Sequence, residues 1–172
     1  MPTYQIISSN VLTSSQASVT FSSIPSTYTD LVLRGSIRTD FPDPTDAMLL
    51  RFNGDSSSLY SVTSLRGSGA AAVSNRQSSA TSISDIIVNA DTATSNTFSV
   101  AEFYIPSYIV SQNKPASIFY AQERNASSTV FIGAQAALYR STTAISSLTL
   151  TPRDGTNFLT GSSFYLYGIS NA

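Results

Sequence analysis

The sequence contains no cysteine, no histidine and no tryptophan. Without cysteine there are no disulfides and no thiolate metal sites. Without histidine the chain loses the commonest general base and the commonest metal ligand together. Charge is scarce too. Charged residues make up 11% of the chain, less than half the roughly 25% of an ordinary soluble domain. Lys114 is the single lysine, and the arginines are scattered rather than gathered into a stripe. With a net charge of −1 there is nothing to neutralise a run of phosphates, which argues against nucleic-acid binding. The same scarcity removes a polybasic membrane anchor. No apolar run approaches the length of a bilayer span. The first ten residues, MPTYQIISSN, lack the basic and apolar regions of a secretory signal, so synthesis in a cytoplasm is the expectation.

What the chain does have is serine and threonine, about 30% of its residues, and 41% hydrophobic residues. Its solubility rests on hydroxyls more than on charge. A length of 172 residues predicts one domain, 1–172, able to bury a proper core.

Helix signals are nearly absent. Segments that alternate, or are rich in β-branched and aromatic residues, predict strands near 3–8, 17–22, 30–39, 47–53, 81–89, 97–105, 116–124, 129–139, 144–151 and 162–169. Clusters of Ser, Asn, Asp, Gly and Pro separate them. Many short strands with such turns predict an all-β fold, a sandwich or a barrel. The stretch SSIPSTYTDLVLRGSIRTD (Ser22 to Asp40) shows the logic. Pro25 has no N–H to give a ladder, so it marks a corner. After it, Leu31, Leu33 and Ile37 alternate with Arg34 and Arg38, predicting an inward apolar face and arginines outside.

Some strands are apolar on both faces. In VFIGAQAALY, Ile132, Ala134 and Leu138 lie on one side and Phe131, Ala137 and Tyr139 on the other. In FYLYGI, Phe164 and Leu166 oppose Tyr165, Tyr167 and Ile169. One face makes the core. The second face, tyrosine- and alanine-bearing, suits burial against another subunit better than open water. The segment from Gly54 to Ala80 alternates weakly and is too long for a plain hairpin loop. A single helical turn or a short strand around Leu59 to Leu65 is the expectation there.

Nothing assembles into a catalytic motif. Asp40, Asp43 and Asp46 sit in DFPDPTD, where two prolines predict a rigid acidic turn, without the ligand spacing of a calcium loop. Asn53-Gly54-Asp55 is a turn signal. Asn125 heads a glycosylation sequon in form, but a chain without a secretory signal does not meet that machinery. Glu102 and Glu123 are dispersed, and pairing of Glu102 with an arginine on a neighbouring strand explains it better than glycoside hydrolysis. No serine has a base, since Lys114 stands alone beside Pro115. RGSGAAA lacks the lysine and helix of a phosphate loop. The expectation is no enzyme, no cofactor and no metal.

Four stretches together carry a family pattern: TFSSIPSTYTDLVLRGSIRT, LLRFNGDSSSLYSVTSLRG, FYIPSYIVSQNKPASIFY and YRSTTAISSLTLTPRDGTNFLTGSSFYLYGI. The matching positions are Phe21, Ile24, Pro25, Tyr28, Leu31 to Leu33 and Arg38, then Arg51 to Asp55 and Tyr60, then Ala144, Ile145, Gly161, Phe164 and Leu166 to Ile169. In these the chain resembles virion structural proteins of marine and cyanobacterial tailed phages. Tyr139 stands where that pattern has a tryptophan. The resemblance covers most of the chain and implies a single antiparallel β-sandwich, jelly-roll-like. It implies a non-enzymatic virion protein, made in the host cytoplasm, that decorates or cements the capsid and stabilises the head. By analogy with decoration modules it implies a homo-oligomer, a trimer, whose other partner is the major capsid protein or another virion protein. The alternative is a tail or tail-fibre component that binds host carbohydrate, with Tyr60, Tyr108 and Tyr139 as its ring platforms. Phe41, Tyr60 and Arg66 are the expected partner-contact residues, being interface-rich types in long loops.

Overall fold

A computed structural model describes residues 3–125 and 130–170. It is all-β. Twelve strands form two sheets and no helix occurs among the described residues. The strands are β1 (Thr3–Val11), β2 (Val19–Phe21), β3 (Asp30–Ile37), β4 (Thr45–Phe52), β5 (Tyr60–Gly67), β6 (Ala72–Ala80), β7 (Ile83–Asn89), β8 (Ser99–Ile105), β9 (Lys114–Gln122), β10 (Phe131–Tyr139), β11 (Leu148–Pro152) and β12 (Ser163–Ser170). Residue 129, where the last but two of the expected strands begins, lies outside the described residues, as do residues 126 and 127 of the Asn125 sequon.

The larger sheet runs β1-β12-β3-β8-β9-β10-β5-β6 and the smaller β2-β11-β4-β7. All strand pairs are antiparallel. From β2 to β5 the chain switches sheet at every step, then returns through β7 and β11. In the smaller sheet β11 sits between β2 and β4. In the larger, the β8-β9-β10 meander sits between β3 and β5. That interleaving of early and late strands is the double Greek key of a jelly roll, with one strand expanded to three and β12 and β1 added at one side. The corner at Ile24-Pro25 carries the chain from the smaller sheet to the larger. It is tied down by Ile24 N–H donating to Ser146 O and by the Tyr108 hydroxyl donating to Pro25 O.

The core lies between the sheets and joins them in one cluster. Leu31, Leu33 and Ile37 point into it as the alternation predicts, meeting Met48, Leu50 and Phe52 of the smaller sheet. Arg38 departs from that prediction. The strand ends at Ile37, the chain turns toward the smaller sheet, and Arg38 is buried. Its guanidinium donates to the carbonyls of Asp91, Ala93, Thr94 and Thr97 at 2.9–3.2 Å, holding the loop between β7 and β8. A planar fork of five N–H donors fits such a ring of acceptors.

In the Gly54 to Ala80 segment the strand alternative holds, and a second strand that was not expected follows it. The segment holds no helical turn but two full strands, β5 and β6, paired from Tyr60–Ala80 to Gly67–Ala72. β6 is the outermost strand and exposed on both faces, so its sequence has no reason to alternate. Gln77 holds it in place. Its amide donates to Asp85 and accepts from the Ser84 hydroxyl on β7.

Candidate interaction surface

The two faces of the larger sheet differ in what covers them. The inner face packs on the smaller sheet, while the outer face is closed at one end, where Asp30, Val32 and Ile169 are buried and Ser107 N–H and the Tyr104 hydroxyl donate to Asp30, and is uncovered over its middle rows among the described residues. Strand register assembles the outer face into rows that cross the whole sheet. One row runs Ser9, Tyr165, Arg34, Glu102, Phe119, Ala134, Leu65, Ser74. The row beside it runs Val11, Ser163, Ser36, Val100, Ala121, Ile132, Gly67, Ala72. Phe119, Leu65, Ile132 and Val100 on these rows are 50%, 58%, 54% and 53% exposed. Ile6 and Tyr104, on a third row, are exposed as well.

β10 shows how the face is chosen. The side with Ile132 and Ala134 is turned outward, and the side with Gly133, Gln135 and Tyr139 is turned inward. Packing at Gly133 explains this. The ring of Tyr120 lies over Gly133, and a Cβ there would collide with that ring. Gln135 is buried, and its amide donates to the carbonyls of Ser84 and Asp85 at 3.1 and 2.9 Å. Inward fit, hydrogen bonding and the burial of Tyr139 thus set the tyrosine-bearing side inward, the reverse of the expectation for this strand, and leave Ile132 and Ala134 facing out.

The outer face is shaped. Phe119 forms a ridge between two hollows. One, of about 450 Å³, has Gly35, Ser36 and Ser163 along it with Val100 and Tyr165 at its sides. The other, of about 190 Å³, lies among Leu65, Ile132 and Ala134. Charge on the central row is confined to Arg34 and Glu102, which pair at 2.6 Å across β3 and β8. Glu102 therefore has the neighbouring-strand arginine partner that its sequence context predicts. Arg34 also lies 6.0 Å from the centre of the Tyr167 ring. Eight strands at about 4.8 Å spacing and eight residues at about 3.4 Å give a footprint of roughly 1,000 Å², polar and apolar positions together. A standard protein interface takes about 800 Å² from each partner.

The residues expected to touch a partner are placed differently. Tyr60 is fully buried, so its side chain is not on any surface. Its hydroxyl accepts from Phe52 N–H at 3.0 Å and donates to Asp55 O at 3.1 Å, and burial pushes the phenol pKa well up. Its ring stacks on Tyr139 at 4.8 Å between centroids and leans on Phe52. Arg66 is half-buried on β5, with its guanidinium 5.2 Å from the centre of the Phe131 ring. Phe41 is half-buried in the loop between β3 and β4. None of the three lies on the outer face. The carbohydrate platform meets the same obstacle, because Tyr60, Tyr108 and Tyr139 are all buried. The Tyr139 hydroxyl donates to Asp55 at 2.6 Å. Hydrogen bonds from Ser57 and then Tyr139 hold the Asp55 carboxyl below its ordinary range.

The acidic turn is occupied by the protein's own backbone. Asp40 accepts from Thr156 and Asn157 N–H at 2.7 and 2.8 Å, and Asp46 from Asp154 and Gly155 N–H at 3.2 Å. Burial pushes the Asp40 carboxyl up, but the Asn157 and Thr156 donors together bring it below its usual value. Lys114 is buried, and its ammonium donates to the carbonyls of Val110, Gln112 and Thr142. The outer-face residues Phe119, Val100, Ile132 and Leu65 are what sequence reasoning missed. The signal that reaches them is the two-faced apolar strand.

No family model matches the chain, and no curated protein matches it in sequence. Among solved structures, a chain from the infectious bursal disease virus Gx strain is 11% identical with a TM-score of 0.15. It is covered over 41% of its own length by 99% of this chain. A putative pore-forming toxin from Bacteroides vulgatus is 8% identical with a TM-score of 0.11, covered over 61% of its length by 93% of this chain. Likeness at this level has no bearing on fold or function. The chain spans less than two thirds of either.

Proposed function

We propose that the protein is a non-enzymatic structural component of a phage virion that decorates the capsid and stabilises the head. The observation that carries this is the outer face of the larger sheet, a shaped surface of interface size on which Phe119, Val100, Ile132 and Leu65 stand exposed around one ion pair. The virion setting comes from the sequence resemblance described above. On this reading the outer face lies on the shell, with the major capsid protein as its partner, and Phe119 is the central anchor. Four large apolar side chains at least half exposed on one sheet face are unusual on a surface meant for water alone. Low net charge lets many copies crowd together with little repulsion. The cement works by addition, since a modest interface repeated over a shell raises the barrier to opening it. The copies assemble as a homo-oligomer, a trimer at three-fold positions.

The test is to locate and count the chain in purified particles. Hundreds of copies on the head, and heads lacking the protein that burst at lower temperature than complete ones, are the expected results. A handful of copies confined to the tail would end the decoration reading.

A further inference from the structure

We infer that copies of this chain join edge to edge, with β6 of one copy pairing with β1 of the next, so that the larger sheet continues from copy to copy. This is a contact between copies beyond the trimer of the reading above, and it is independent of where in a virion the protein sits.

The inference starts from the two ends of the larger sheet, where β1 and β6 have no further strand beside them among the described residues. Soluble proteins guard such edges with charge, proline, short strands or bulges. Here both edge strands are nine residues long. β1, TYQIISSNV, contains no charge and no proline, and β6, AVSNRQSSA, contains only Arg76 and no proline. The bulge in β1 falls between Ile6 and Ser8, which leaves Ser8 to Val11 regular. β6 is regular from Ala72 to Gln77, and its anchor on β7 through Gln77 keeps it in place for a partner.

Direction then selects which edges meet. Eight strands alternate, so β1 and β6 run in opposite directions. Rotation about an axis along the strands therefore sets β1 of one copy antiparallel to β6 of its neighbour, and the ladder continues across the seam. Like-with-like pairing is worse for both edges. Arg76 is the middle residue of β6, so a two-fold β6 pair in full register puts two guanidinium groups opposite each other, which is destabilising. Ile7 is the middle of β1 and sits at its bulge, so a two-fold β1 pair sets one ladder break against another.

Register follows from the faces. Ser9 and Ser74 lie at the two ends of the same outer row, and Asn10 and Val73 at the two ends of the adjacent inner row. Pairing Ser9 with Ser74 and Asn10 with Val73 keeps outer with outer and inner with inner, as a shared sheet requires. The apolar outer face then runs unbroken over the seam.

The absence of cysteine makes the test direct. In a double variant, Ser9→Cys with Ser74→Cys, the two thiols of one chain are seven strand spacings apart, about 34 Å. A disulfide spans no more than about 7 Å between Cα atoms, so it forms only between copies. Both serines are exposed, so the substitutions leave the core untouched. Under mild oxidation the double variant should give covalent oligomers on a non-reducing gel, and each single variant should give none. Light scattering of the unmodified protein should show a defined oligomer. A monomer at all concentrations with no cross-links from the double variant overturns the inference. Efficient dimers from either single variant overturn it too, by showing like-with-like edges. A particle with the protein only at its tail ends the decoration reading and leaves the seam standing, whereas loss of the cross-links does the reverse.

Discussion

Phe103 and Phe119 stand on adjacent strands with opposite surroundings, and together they separate folding from docking. Phe103 on β8 is fully buried in the core, and Phe119 on β9 is 50% exposed on the outer face. Truncating a buried phenylalanine costs about 3–5 kcal/mol through lost transfer energy and the cavity left behind. Phe103→Ala should therefore lower the melting temperature by roughly 6–20 °C, at about 2–4 °C per kcal/mol for a chain of this size. Phe119→Ser removes a ring that the fold only half covers, so the isolated protein should lose no more than about 1–2 kcal/mol. The exposed half is what a shell would cover. A phenylalanine presents about 200 Å², so half of it is about 100 Å², worth about 2.5 kcal/mol at roughly 25 cal/mol per Å². That is about a 60-fold loss of affinity per site. The assay is rebinding of purified protein to heads that lack it, read as occupancy against concentration, beside thermal melts of the free protein. The expected pattern is a normal melt with weakened binding for Phe119→Ser, and a depressed melt for Phe103→Ala. If Phe119→Ser binds heads within about threefold of the unmodified protein, the outer face is not the docking surface.

Other consequences can be measured on the isolated chain. Arg38→Met strands four carbonyls that now accept from the guanidinium, and should cost about 3–5 kcal/mol in chemical denaturation, with Arg38→Lys recovering only part. Gly133→Ala forces its methyl against the Tyr120 ring and should cost about 1–3 kcal/mol, with Gly133→Ala/Tyr120→Leu melting closer to the parent. The Asp40 and Asp55 carboxyls are held below their ordinary value of 3.8 in the folded state. Such groups stabilise the fold above that value and stop doing so as pH falls through their lowered pKa. Thermal melts should therefore hold steady from neutral pH to about pH 5 and decline below about pH 4, with Asp55→Asn and Asp40→Asn each flattening the decline. Lys114 is the one lysine and is buried against carbonyls, so amine-reactive reagents should leave it unmodified in the native protein and label it on unfolding, as peptide mapping would show.

Much of the architecture is local information, and that part was legible in the residues. Period-two alternation, together with Pro25 and the Asn53-Gly54 turn, marks ten of the strands, because a strand with one wet face must alternate and a corner must lack ladder donors. Placing Leu31, Leu33 and Ile37 inside and pairing Glu102 across to an arginine needs no more than that periodicity and a neighbouring strand. Where burial depends on distant parts of the chain, the same reasoning gives out. β6 does not alternate because both its faces are exposed, and only its ladder to β5 makes it a strand. Arg38 looks like an outward arginine until the loop from Asp91 to Thr97 folds over it and offers four carbonyls. Tyr60 looks like a loop aromatic, yet Phe52 and Tyr139, from two other strands, close around it. In β10 both faces are apolar, so periodicity states that two faces exist and not which one is core. The fit of the Tyr120 ring over Gly133 and the hydrogen bonds of Gln135 turn Ile132 and Ala134 outward, and in doing so make the candidate docking surface. Side-chain shape and carbonyl positions brought together from separate strands are properties of the assembled sheets, and no single stretch of the chain carries them.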